Sequence, residues 1–176
     1  IFNRSEKYVN LILLSFLEGS LILSVGETVE EVSDSGFLSD VSTLCLQQIG
    51  ESSTVQIHSN GMIQIVFDGE NSEKKIEWFP PAGINILAAA CNNSQVVIAL
   101  SNREIVYFEV DEFDRLIEYE ERKELSAQIC SISVGEVPSG KQRFPYFIVG
   151  CKDSTITIIS TDPESTLDSI SVETLS

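Results

Sequence analysis

The feature that most constrains this chain is a repeated unit: an apolar strand, a tight polar turn, and a second apolar strand. It occurs four times, at 11–23, 55–65, 96–106 and 147–158. The turns centre on Gly19, Asn60, Asn102 and Asp153, at intervals of 41, 42 and 51 residues. A loop rich in proline, glycine and charge, Gly135–Pro145, lengthens the last interval. Short apolar runs fit between the hairpins. Thr43–Ile49, Ile86–Cys91 and 128–134 suit inner strands, and 74–79 and 115–121 suit outer strands. Four strands recurring every 40 to 50 or so residues are the pattern of a β-propeller blade. The expectation is all-β: about four antiparallel four-stranded blades, WD40-like but divergent, since the Gly-His and Trp-Asp tags are missing. Propellers carry up to about eight blades. Residues 1–176 are therefore expected to be part of one β-propeller in a larger protein, with approximate blades at 1–38, 39–80, 81–125 and 126–176.

The remaining composition fits this reading. At 43% hydrophobic the chain can build a core. Only Asp111–Leu125 looks helical, and an outer strand is preferred there because Tyr107–Val110 leads into it. The apolar run Tyr8–Leu17 is too short for a membrane helix, which needs about 20 residues. Ile1 follows no basic n-region and reads as the cut end of something longer. A net charge of −16 argues against binding a nucleic acid backbone and fits basic partners or a solvated surface.

Each candidate chemistry has a structural alternative. Cys45, Cys91, Cys130 and Cys151 form no C-x-x-C pair and have no histidine beside them, so no metal site is expected. They read as buried free thiols. The first three fall at similar places on successive inner strands. A metal-binding or redox cluster near the axis is one reading, and small hydrophobes packing the narrow end of each blade is the preferred one. Gly135–Gln142 approaches the P-loop pattern, but Gln142 replaces the hydroxyl that binds Mg²⁺, and Phe144–Ile148 reads as strand where a helix should start. His58, the single histidine, sits beside the Ser59-Asn60-Gly61 turn, where Asn-Gly signals a hairpin. No Gly-x-Ser-x-Gly elbow accompanies it. The acidic clusters Glu27–Asp34, Asp68–Glu73 and Asp111–Asp114 lack EF-hand spacing and read as solvated loops and rims. Trp78, before Pro80-Pro81, is read as packing one blade on the next rather than as an exposed anchor. The sequons at Asn3 and Asn92 have no other sign of secretion beside them. No catalytic residue, cofactor or metal is expected, and no partner-binding residue is assignable.

Several runs carry a resemblance. Ser24–Leu38, Gln95–Leu100, Glu104–Glu109, Glu118–Ala127, Gly135–Gly140 and Thr155–Pro163 resemble the large β-propeller subunit (subunit 3) of splicing factor 3b, over nearly the whole chain. That subunit belongs to a superfamily of triple-propeller proteins with the damaged-DNA-binding ubiquitin-ligase adaptor and the large cleavage and polyadenylation factor subunit. The resemblance implies the middle propeller of three. It also implies a nuclear, non-enzymatic scaffold of the U2 small nuclear ribonucleoprotein that supports splicing and branch-site engagement. The implied partners are the HEAT-repeat subunit and a small companion subunit, reached mostly through the rest of the protein, without membrane or direct nucleic acid contact from this segment. Adaptors of a cullin-type ubiquitin ligase or of a cleavage and polyadenylation complex are the alternatives. The chain departs from these relatives at Gly61–Val66 and Asp68–Lys75, both expected near a blade rim, so a rim contact made by relatives is expected to be absent.

Overall fold

The computed structural model describes residues 2–4, 8–68 and 72–175. Among them there is no helix, and the strands form four antiparallel sheets. The first holds β1 (Phe2–Arg4), β2 (Tyr8–Phe16), β3 (Gly19–Val25) and β4 (Val29–Glu31). The second holds β5 (Thr43–Ile49), β6 (Ser53–His58), β7 (Gly61–Asp68) and β8 (Ser72–Trp78). The third holds β9 (Ile86–Cys91), β10 (Gln95–Leu100), β11 (Glu104–Val110), β12 (Leu116–Glu118) and β13 (Lys123–Glu124). The fourth holds β14 (Ile129–Val134), β15 (Tyr146–Cys151), β16 (Thr155–Ser160) and β17 (Ser169–Thr174). Each sheet is a meander in chain order, with β13 of the third pairing β11 alongside β12, so each is one blade, and together they form part of a propeller.

The core sits between blades. Successive strand residues point to opposite faces, and the middle strands use both. On β10, Val96, Ile98 and Leu100 join Ile49, Val55, Ile57 and Met62 of the second blade. The intervening Val97 and Ala99 join Ile129, Phe147, Val149 and Ile159 of the fourth. A third cluster puts Leu11 and Ile22 against Ile63 and Ile65. The middle strands β6 and β10 are buried along their whole length. Burying each Val, Leu, Ile or Phe fully stabilises by about 1.5–3 kcal/mol, so these faces are the main force that stacks the sheets.

Three expectations change. The Ser59–Asn60 turn pairs His58 with Gly61, which makes Gly61 the first residue of β7 rather than part of the turn. It is small because a Cβ there would come within 2.8 Å of the Phe79 ring and 2.9 Å of the Trp78 carbonyl. The outer strand expected over 115–121 is split into β12 and β13, with a slipped register on β11 between them. The pairing runs on to Tyr119, whose amide donates to the Tyr107 carbonyl at 2.9 Å with the two rings 5.0 Å apart, and it slips only beyond that residue. Finally, 61–66 is not rim: Met62, Ile63, Gln64 and Ile65 are all buried in β7. Of 68–75, residues 69–71 lie outside the described residues.

Candidate functional site

Three glutamines hold neighbouring segments of the propeller together. A primary amide offers one acceptor and one donor group side by side, so it can pair with a passing backbone as another strand would. Gln56 on β6 donates to the Leu38 carbonyl at 2.9 Å and accepts from the Leu38 amide at 2.9 Å. Gln95 on β10 does the same to Phe144, at 3.0 and 2.7 Å. Gln64 on β7 donates to the Asp114 carbonyl and accepts from the Leu116 amide at 2.9 Å. All three are buried. Polar residues at alternate strand positions gave the only sequence signal for them, and it reads as ordinary outward-facing polarity.

Within the acidic segment 111–114, Glu112 and Phe113 are exposed as expected of a solvated loop, but Asp114 is part of the same construction. Asp114 accepts from the Glu51 amide at 3.0 Å and from the Ser52 amide and hydroxyl at 2.7 Å each, joining the second and third blades. Asp111 accepts from the Phe113 and Arg115 amides and pairs with the Arg115 guanidinium at 2.7 Å. Desolvation raises the Asp111 pKa, but these donors outweigh it and hold the carboxyl below its usual range. Between the third and fourth blades, Glu109 accepts from Tyr107 at 2.6 Å and Tyr119 at 3.2 Å, and pairs with Arg143 at 3.0 Å. Burial, with Glu109 beside it, keeps the Tyr107 phenol protonated far above its ordinary range.

The remaining candidates fall as follows. The Gly135–Pro145 loop leads into strand β15, and it is strapped to the third blade. Asn92 donates to the Gly135 carbonyl at 2.8 Å and Ser94 to the Gln142 carbonyl at 2.7 Å. Asn92, a sequon residue, is therefore buried with its amide committed. The first sequon includes Ser5, which lies outside the described residues. His58 is buried, and its Nδ1 accepts from the Asn60 amide at 3.3 Å. Its Nε2 has no hydrogen-bond partner among the described residues. Desolvation lowers its pKa, against the opposing charges of Asp40 and Glu77, so it stays neutral at pH 7. Trp78 packs edge-on against Phe108 of the next blade at 5.3 Å and donates to Glu118 at 2.6 Å. Of the acidic clusters, 27–31 is exposed, and Glu70 lies outside the described residues.

The thiols do not behave alike. Cys151 is buried and Cys130 is exposed, which corrects the reading of all four as buried. Cys45 lies third on β5, Cys91 last on β9 and Cys130 second on β14, so they do not share one strand level. Cys45 and Cys91 nevertheless touch across the blade boundary, with Sγ atoms 3.1 Å apart.

The exposed surface carries Phe16, Leu17, Phe79 and Phe113 at turns and strand ends. A cleft of about 450 Å³ between the third and fourth blades presents Glu120, Glu121, Glu164 and Asp168. No helix among the described residues is long and apolar enough to cross a membrane.

Residues 2–176 match the sequence model of the family described as the RSE1/DDB1/CPSF1 second beta-propeller. The chain is 51% identical over 172 residues to pre-mRNA-splicing factor RSE1 of Pyricularia oryzae, covering 98% of this chain and 14% of that protein. It is 44% identical over 177 residues to pre-mRNA-splicing factor prp12 of Schizosaccharomyces pombe, covering 99% and 14%. It is 44% identical over 171 residues to splicing factor 3B subunit 3 of Drosophila melanogaster, covering 97% and 14%. The chain thus spans 14% of the length of these relatives.

Proposed function

This chain belongs to the RSE1/DDB1/CPSF1 second β-propeller family, and on that premise we propose that it is part of the middle propeller of a non-enzymatic scaffold subunit of splicing factor 3b. In this reading the parent protein acts in the nucleus, within the U2 small nuclear ribonucleoprotein, and supports branch-site engagement through protein–protein contacts. The observation that carries it is the 44–51% identity, across 97% or more of the chain, to proteins named as splicing factors. The geometry supports a scaffold. The buried polar side chains described above join blades to one another, and the cleft between the third and fourth blades is lined by carboxylates. The net charge of −16 disfavours direct contact with an RNA backbone, so partners such as the HEAT-repeat and small companion subunits would be reached through protein surfaces.

The family description also names relatives outside splicing, which gives the test its contrast. Affinity purification of the full-length protein, with identification of what is retained, should recover splicing factor 3b components. Recovery of a cullin, or of cleavage and polyadenylation factors, without splicing components would overturn the assignment.

A further inference from the structure

We propose that Cys45 and Cys91 form a reversible modification site, in which hydrogen peroxide converts the two thiols to a disulfide that ties the second blade to the third. The two cysteines are 46 residues apart in sequence and lie on the neighbouring inner strands β5 and β9. Their Sγ atoms are 3.1 Å apart, within hydrogen-bonding distance across the blade boundary. A disulfide bond is about 2.05 Å long, so the sulfurs need to close by only ~1 Å. Both side chains are half-buried at the edge of the core between these blades. Cys91 also lines a cavity of about 430 Å³ with Gln47, Asn92, Asn93, Val134 and Glu136. That cavity brings a small polar oxidant to the Cys91 side of the pair, 3.1 Å from the Cys45 sulfur.

The two thiols are not equivalent. The hydrogen bond with Cys91 lowers the Cys45 pKa against the opposing effect of burial. The same bond, with burial, raises that of Cys91. Cys45 therefore supplies the thiolate and reacts first. Its sulfur attacks one peroxide oxygen: an S–O bond forms, the O–O bond breaks, and hydroxide leaves to take up a proton as water. Cys91 then loses its proton and attacks the Cys45 sulfur. The S–S bond forms, the S–O bond breaks, and the departing hydroxide leaves with that proton as a second water. The sulfurs together lose two electrons, which the peroxide gains. A dithiol reductant reverses the change by thiol–disulfide exchange. Cys130, although exposed, donates instead to the Gly150 carbonyl at 3.3 Å.

The test uses the full-length protein, reduced, treated with hydrogen peroxide, alkylated and digested without reductant. Mass spectrometry should find the Cys45 and Cys91 peptides joined, lighter by two hydrogens than the reduced pair, and separated again by dithiothreitol. In Cys91→Ser the intermediate has no resolving thiol, so Cys45 should accumulate as a sulfenic acid trapped by dimedone. In Cys45→Ser, Cys91 should stay reduced at the peroxide dose that cross-links the wild type. The proposal fails if wild-type Cys45 and Cys91 remain fully alkylatable while Cys130 is oxidised. It also fails if each goes to a sulfinic acid with no joined peptide.

Discussion

Gly50, in the turn between β5 and β6, lies directly against the carboxylate of Asp114 from the next blade, with no room for a Cβ between them. Its φ is +58°, in the region that favours glycine. Gly50→Ala should therefore strain the turn and displace Asp114 from the Glu51 and Ser52 amides. The expected cost is about 3 kcal/mol, from a left-handed alanine at about 1–2 and lost charge-assisted hydrogen bonds. Hydrogen exchange should show the loss as faster exchange at Glu51, Ser52 and Leu116. Unchanged protection there would refute the account.

Gln64→Leu keeps the side-chain size but leaves the Leu116 amide and Asp114 carbonyl without their partner. A buried group left unsatisfied costs about 1–3 kcal/mol. The variant should loosen the contact between the second and third blades, read as earlier cleavage near 111–116 in limited proteolysis. Gln56→Leu should leave that segment alone, because Gln56 grips Leu38 instead.

A gain is expected at Ser154, whose φ is +64° in the turn between β15 and β16. A non-glycine residue pays about 1–2 kcal/mol for that conformation, while glycine adds flexibility to the unfolded chain. Ser154→Gly should give a net gain of about 0.5–1 kcal/mol. Slower exchange of the Thr155 and Ile156 amides would report it, and faster exchange would contradict it.

Acid should act on the second blade through His58. Its folded pKa lies below the unfolded value of 6.5 because burial disfavours the charged ring. The stability from the neutral ring is thus complete above about pH 6.5 and falls as the pH drops below it. Protection factors at Thr43 and Gly61, the strand partners of His58, should fall between about pH 6.5 and 5. In His58→Gln that loss of protection should disappear. An equal pH response in the variant would assign the effect to other groups.

The sequence carried the fold further than the chemistry. Val55–Ile65 and Val96–Val106 announced their hairpins because a residue's neighbours along a strand, and the turn that follows, are encoded within about a dozen positions. The break after Tyr119 was not legible, since nothing within 120–122 signals the register slip by which Glu124 comes to face Glu104. Asp111 and Asp114 look equally solvated as letters. Only the approach of the 50–52 turn makes Asp114 a clasp between blades.

What the sequence determined by itself is the all-β repeat: alternating apolar faces, turn residues at blade spacing, and family runs from Ser24 to Pro163. These are local or periodic properties, and they survive without knowledge of any contact. What only the tertiary structure decided is which polar atoms meet. Gln56 finds Leu38, Gln95 finds Phe144, and Cys45 finds Cys91 46 residues away. Such meetings depend on how one blade is rotated and stepped against the next. That placement arises from the summed packing of both sheet faces, and no single stretch of sequence records it.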